Sequence, residues 1–294
     1  MWKPRVAITV GDPSGIGPEI AARAARDRSV IEVCEPVVYE PSDMTTFRPG
    51  VLSGAAGRAA YDLIVRAVAD ARHGAVQAIA TAPINKDAFR LAGLPWTGHT
   101  DLLAHLTHTD HVAMMFHSDV LCVVLATVHI PIADVPGALT QKSLEATIEL
   151  TAREMPRFGV AAPRIAVAGL NPHAGEHGLF GKEDGQTIAP AIARCRDRRI
   201  DVSGPFPGDT VFLRASRGEF DVVIACYHDQ GLIPVKLIAF DRAVNVTLGL
   251  PIVRTSVDHG TAFDIAGRGT ADAGSMIAAV KLAARLALVQ HPGT

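Results

Sequence analysis

Three histidines in three separate motifs could do the chemistry of this chain: His129 in VHIPI, His173 in GLNPHAGE and His228 in YHDQG. Each follows a run of apolar, β-branched residues, which predicts a buried strand ending where its connecting loop begins. Imidazole is the commonest protein ligand for a divalent metal, and three of them leave coordination positions open for water or substrate. Taken singly, each could instead be a hydrogen-bonded structural histidine at a strand end. The neighbours argue for more than that. Pro131; Asn171, Pro172, Ala174 and Gly175; and Asp229, Gln230 and Gly231 are small, kinking or polar residues that let backbone approach a ligand and offer the rings partners. The pattern points to a catalytic metal.

The remaining polar positions fall into clusters. TGHTD sets His99, Thr100 and Asp101 just before a predicted helix, where imidazole, hydroxyl and amide groups can hold an anionic substrate. A solvated helix cap is the other reading of Thr100 and Asp101. GPFPGDT offers Asp209, either a carboxylate beside the metal or the cap of the next helix. Lys236, Asn245 and Arg254 recur at nine-residue intervals in apolar, strand-like surroundings, where a charge is costly to bury without a partner. An anionic ligand supplies that partner.

Two glycine-rich segments bear on nucleotide binding. GDPSGIGPE, from Gly11 to Glu19, places three glycines before a helix N-terminus and has the look of a phosphate cradle. It does not match G-x-G-x-x-G, and GEHGLFGK, ending at Lys182, does not fit a P-loop because the glycine spacing differs and Glu183 stands where Ser or Thr belongs. RTSVDHGTAFDIAGRGTADAG, from Arg254 to Gly274, is the stronger signal. Its glycines and alanines let a planar ring lie against backbone, and Asp264 can accept hydrogen bonds from a ribose diol while repelling a 2′-phosphate. NAD is expected ahead of NADP. The plainer reading is a loop leading into the last helix.

These residues need elements to position them. The 294 residues are 48% hydrophobic and 20% charged, enough for one large or two medium α/β domains. A net charge of −2 without like-charge blocks points away from nucleic acid and from membrane surfaces and toward a small-molecule partner. The apolar start of the chain is too short for a signal-peptide core, and the run from Val120 to Val128 is too short to cross a bilayer, so a cytoplasmic enzyme is expected. Cys34, Cys122, Cys195 and Cys226 form no C-x-x-C pair and read as reduced core residues. Apolar strands alternate with amphipathic helices, predicting a mostly parallel sheet. HVAMMFHS and VLCVVLATVHIPI predict an antiparallel section turning at Ser118 and Asp119.

With these residues in view, the sequence resembles the 4-hydroxythreonine-4-phosphate dehydrogenase family of vitamin B6 biosynthesis. GDPSGIGPE, TAPINK, TGHTD, the three histidine motifs, GDT, VNVTLGLP and RTSVDHGTAFDIAG occur in family order over nearly the whole chain. The resemblance implies a two-lobed fold like that of isocitrate and isopropylmalate dehydrogenases, with residues 1–90 plus 245–294 as the cofactor-side lobe and 91–244 as the metal, substrate and dimerisation lobe. It implies His129, His173 and His228 as ligands of one divalent ion (Zn, Mg, Co or Mn). His99, Thr100, Lys236, Asn245 and Arg254 would contact a phosphorylated substrate. Gly11, His259, Gly260 and Asp264 would contact NAD or NADP, the HGTA loop holding the adenosine half. A homodimer with shared active sites is implied as well.

Two departures qualify this picture. The stretch between Val38 and Gly57 is shorter than in the biosynthetic enzymes, some of which carry His where this chain has Asn85. Both look more like the branch acting on D-erythronate or D-threonate 4-phosphate. A relative that oxidises dihydrodiol dicarboxylates lacks a phosphate to bind, and the intact TGHTD argues against it. The expected reaction is oxidation of a secondary hydroxyl beside the metal, then decarboxylation of the β-keto acid, with Lys236 or Asp209 as proton carrier. A non-redox phosphotransacylase or lyase on a related scaffold is the alternative from another class, and a silent metabolite sensor is a third.

Overall fold

RVAIT, at Arg5–Thr9, leaves only its first residue exposed, as a strand covered on both faces must. The computed structural model describes residues 2–240 and 242–290. Its strands, in chain order, are β1 (Arg5–Thr9), β2 (Glu35–Tyr39), β3 (Ala78–Thr81), β4 (Ala113–His117), β5 (Cys122–Leu125), β6 (Ile165–Ala168), β7 (Val202–Phe206), β8 (Val222–Ala225), β9 (Val244–Leu248) and β10 (Val253–Ser256).

The chain divides into two compact units. Residues up to Asp110, with those from Val244 on, form the first, and His111–Ala243 the second. Strand order in the first is β2-β1-β3-β10-β9, parallel except for β9 against β10. In the second it is β4-β5-β8-β6-β7, with only β4 antiparallel to its neighbour. The α/β class and the hairpin at Ser118 follow the sequence, the Ser118 hydroxyl accepting from Leu121 N–H at 3.0 Å to close the turn. The unit boundary falls at residue 110 instead of 90. Helix His99–Thr107 goes with the first unit, where it lies against helix Gly54–Arg72 and has Leu102 and Leu103 fully buried.

Register matters for the site. Thr9 lies beside Thr81, Thr81 beside Ser256, and Ser256 opposite Asn245, so a row of polar side-chain types crosses β1, β3, β10 and β9. The first three close the carboxyl ends of parallel strands, where open α/β sheets take their ligands.

In the second unit the core joins β4, β5, β6 and β8 to helices Gly208–Ser216 and His228–Ala239. The latter helix is pressed onto β5: a Cβ on Gly231 would lie 2.6 Å from Leu125 Cδ2, so only glycine fits that position of YHDQG. LIPVKLIA belongs to this helix, which corrects the strand-like reading of Lys236. Leu232, Val235 and Ala239 face inward at helical spacing, whereas Asn245 and Arg254 are indeed in strands. The nine-residue recurrence therefore has no single structural cause. Among the described residues no helix is long and apolar enough to cross a membrane.

Candidate active site

Strands β5, β8 and β6 lie side by side and parallel, so the loops following them leave one edge of the second unit's sheet. His129 and His173 lie in the segments that follow β5 and β6, and His228 starts the helix that follows β8, each after its apolar run. The loop roots are stitched together. Thr127 Oγ1 donates to the Cys226 carbonyl at 2.7 Å, Gln230 Nε2 donates to the Gly169 carbonyl at 2.7 Å, and Gln230 Oε1 accepts from Cys226 N–H at 2.6 Å. Gln230 is thus a brace between loops.

His228 opens its helix, and Asp229 Oδ1 lies 2.7 Å from its Nδ1, an arrangement that leaves Nε2 to face a ligand. The His129 and His228 rings are 5.5 Å apart between centroids and tilted by 43°. Two imidazoles on one tetrahedral ion have centroids about 5 Å apart, given metal–nitrogen bonds of roughly 2.0–2.1 Å, so this pair fits a metal. His129 has a left-handed backbone at φ 51°, uncommon outside glycine and asparagine and typical of functional turns.

His173 is placed differently. Its ring lies obliquely 6.0 Å from Phe180 and lines a cavity of about 720 Å³ with Asn171, Asp209, Tyr227 and Asp229. His129 and His228 line a smaller cavity of about 210 Å³, and Tyr227 and Asp229 border both. Among the described residues no three His, Cys, Asp or Glu side chains are grouped so as to hold a metal ion. One chain therefore joins two of the three rings and sets the third on an adjoining wall. Asp209 shares that wall with His173. It sits in the first turn of its helix while Pro207 takes the cap position, so the capping alternative falls away.

The first unit holds a second cluster. Arg254 is 2% exposed, and its guanidinium donates to Thr247 Oγ1 at 3.0 Å and to Thr81 Oγ1 at 2.7 Å. No carboxylate pairs with it among the described residues, and burial pulls it from its usual value down to about 9. Its Nε, the Oδ1 of Asn245 and the Nε2 of His99 are all buried without a hydrogen-bond partner. Buried polar atoms are nearly always paired, and each orphan costs about 1–3 kcal/mol, so the unpaired Arg254 Nε and His99 Nε2 at one uncompensated cation mark a place built for an anion, while the Asn245 Oδ1 is left to accept from a ligand hydroxyl. Thr100 follows His99 in the first turn of the same helix, whereas Asp101 caps it, accepting from Gly98 N–H at 2.9 Å and Thr97 N–H at 2.5 Å. Thr81 and Thr247, which hold the guanidinium, were not singled out from sequence, although TAPINK and VNVTLGLP contain them.

Burial, and secondarily the Arg254 charge, hold the His99 imidazole well below its usual value, so the folded protein keeps it neutral. The unfolded chain takes up that proton near pH 6.5. Below this pH the unfolded state binds more protons, so the contribution of His99 to stability falls as pH falls. Urea unfolding of the ligand-free protein at pH 7 and pH 5 should therefore show a steeper loss for wild type than for His99→Gln. Equal losses would mean that His99 is not held neutral.

The glycine-rich loops serve each other. Residues 10–17 are fully buried, and a Cβ on Gly11 would stand 2.2 Å from the Pro83 carbonyl oxygen. The glycines of GDPSGIGPE thus allow close packing against carbonyls. Ile16 N–H donates to the Thr261 carbonyl at 3.0 Å, Glu19 Oε1 accepts from Ala271 N–H at 3.0 Å, and Arg23 donates to the carbonyls of Gly269 and Ala271. The first helix thereby holds the loop that carries His259, Gly260 and Asp264, of which His259, Gly260 and Asp264 remain accessible to a ligand. Asn85 caps helix Lys86–Leu91, its Oδ1 accepting from Ala88 N–H at 3.0 Å.

The chain is similar to known proteins over nearly its whole length. A 4-hydroxythreonine-4-phosphate dehydrogenase from Desulforapulum autotrophicum is 46% identical over 328 residues, covering 98% of this chain and 96% of that protein. A D-threonate 4-phosphate dehydrogenase from Cupriavidus necator is 42% identical over 326 residues, covering 97% and 98%. Both alignments exceed the 294 residues of this chain, so both relatives carry segments it lacks and length does not separate them. The crystal structure of a 4-hydroxythreonine-4-phosphate dehydrogenase from Klebsiella pneumoniae superposes with a TM-score of 0.87 at 42% identity, covering 97% of this chain and 98% of that one. A β-decarboxylating dehydrogenase from Thermococcus kodakarensis, at 15% identity and a TM-score of 0.54, shares the fold alone. Residues 10–283, nearly the whole of both units, match the family described as pyridoxal phosphate biosynthetic protein PdxA, and the chain belongs to that family.

Proposed function

We propose that the protein is a cytoplasmic, NAD- and divalent-metal-dependent dehydrogenase. It oxidises the secondary hydroxyl of a 4-phosphorylated hydroxy acid and then releases carbon dioxide from the β-keto acid. The substrate is 4-phosphohydroxy-L-threonine or a four-carbon sugar-acid phosphate such as D-threonate or D-erythronate 4-phosphate, in keeping with the names of its relatives. The observation that carries the reading is the buried Arg254 guanidinium, paired with no carboxylate among the described residues, beside unpaired atoms of His99 and Asn245. A phosphate oxygen gives the Arg254 Nε–H an acceptor, neutral His99 offers a second donor through Nε2–H, and the Asn245 Oδ1 accepts from a substrate hydroxyl.

Thr100 and Lys236 are assigned to the same ligand. His129 and His228 fit two positions of a divalent ion, and His173 is assigned as the third ligand of a site completed in a homodimer. Bound there, the ion would polarise the substrate hydroxyl and later the carbonyl, while the nicotinamide accepts the hydride. Lys236 or Asp209 removes the hydroxyl proton. His259, Gly260 and Asp264 hold the adenosine half, the Asp264 carboxylate favouring a ribose diol over a 2′-phosphate. A second copy is supported by the surface of the second unit, where Leu213, Ile233, Leu237 and Phe240 are 52%, 64%, 86% and 68% exposed.

The decisive experiment is absorbance at the NADH wavelength with Zn, Mg, Co or Mn and a panel of 4-phosphorylated hydroxy acids beside their dephosphorylated counterparts. Reduction of NAD by a phosphorylated acid alone is expected, with NADP a poorer oxidant. No reduction with any member of the panel would remove the dehydrogenase reading.

A further inference from the structure

The segment after β6 has a backbone that its sequence does not explain. Residues 173–177 have successive φ values of 53°, 53°, 80°, 40° and 55°, and only Gly175 among them is glycine. L-residues enter this left-handed region singly and seldom in runs, so something outside the turn must hold it. Asp184 does so from fourteen residues beyond Leu170. It is 1% exposed, its Oδ1 accepts from Leu170 N–H at 2.8 Å, and its Oδ2 accepts from Asn171 N–H at 3.1 Å and from Asn171 Nδ2 at 2.8 Å. Glu183 Oε2 takes the other proton of Asn171 Nδ2 at 2.8 Å and the Lys182 N–H at 3.0 Å.

No cation pairs with the Asp184 carboxylate among the described residues. Burying a carboxylate is costly unless its hydrogen bonds are made, and here they converge on the two residues that precede Pro172 and His173. The Asp184 side chain also lies under the turn itself, its Cβ, Oδ2 and Cγ 3.2, 3.3 and 3.5 Å from a Cβ placed on Gly175.

We infer that Asp184, seated by Glu183, is a positioning residue for His173: it pins the backbone at 170 and 171 and so sets the left-handed turn that aims the imidazole into the cavity shared with Asp209. The inference rests on His173 being a metal ligand. Carboxylates that orient a ligand from behind change metal affinity by about 10–100-fold when altered.

The test is Co²⁺ titration of the full-length protein, followed by the cobalt visible spectrum and by competition with a chelator, with thermal unfolding measured in parallel. Asp184→Asn should weaken Co²⁺ binding by about 10–100-fold and alter the spectrum at temperatures where it stays folded. Glu145→Gln, at a buried carboxylate elsewhere in the second unit, should lower thermal stability and leave Co²⁺ affinity unchanged. Asp184→Glu should recover part of the affinity. Wild-type affinity and spectrum in Asp184→Asn, with binding lost in His173→Ala, would overturn the positioning role and spare the metal site. Unchanged binding in His173→Ala would overturn both. Should Asp184→Asn not fold, Glu183→Gln decides: a severalfold weaker affinity supports the role and wild-type affinity overturns it.

Discussion

The His228→Ala protein is expected to lose metal-dependent NAD reduction by more than about 100-fold, because groups behind a ligand already cost 10–100-fold and the ligand itself costs more. The geometry makes this the sharpest test of the histidine set. His228 is the ring that stands beside His129, and Asp229 has its Nδ1 engaged, so the other nitrogen is the one offered to an ion. The fold should survive the change. The side chain is 39% exposed, it lies at the first position of a helix, and alanine is the best helix former. Its thermal midpoint and its oligomeric state by sedimentation should match wild type, while bound Co²⁺ falls to background. Retained turnover together with retained metal would show that the His129–His228 pair is a structural contact.

What the sequence made legible was the placement of polar residues at the ends of apolar runs. DVVIACYH and RIAVAGLN are recognisable because buried parallel strands need continuous apolar, β-branched stretches, and His228 and His173 follow them. LIPVKLIA misled for the same reason. With Ile, Val and an internal Pro234 it reads as a strand, and only the inward spacing of Leu232, Val235 and Ala239 reveals the helix. The glycines of GDPSGIGPE were visible, but carbonyls of Pro83 and Thr261 crowding them are tertiary facts that composition cannot carry. The backbone at 173–177 was hidden for a related reason: local propensity opposes it, and the carboxylate that holds it comes from Asp184. That His129 stands beside His228 while His173 lines an adjoining cavity could not be read at all, since it depends on which way each loop turns after leaving the sheet.

Arg254→Met should separate function from stability in opposite directions. The guanidinium is a buried cation whose partners in the protein are the hydroxyls of Thr81 and Thr247. Truncating one side of a buried, hydrogen-bonded charge pair costs about 2–5 kcal/mol in the complex, roughly 30-fold to several thousand-fold in kcat/KM for the phosphorylated substrate. The ligand-free protein does not have that pair. There the charge contributes mainly a desolvation penalty, and apolar residues of similar volume in place of buried charges are often neutral or stabilising by about 1–4 kcal/mol. The thermal midpoint of ligand-free Arg254→Met should thus equal or exceed that of wild type, less a small loss from two threonine hydroxyls that no longer accept. His99 gives an internal check. Its neighbour's positive charge contributes to holding its imidazole down, so its pKa should rise in the variant. Arg254→Lys should not rescue, because a single ammonium cannot meet both hydroxyls and still present a planar fork to phosphate. The measurement is the ratio of kcat/KM for the phosphorylated acid to that for its dephosphorylated counterpart, beside a thermal melt without ligand. An unchanged ratio, or a ligand-free protein destabilised by as much as binding is weakened, would mean that Arg254 holds the sheet together and that the phosphate is bound elsewhere.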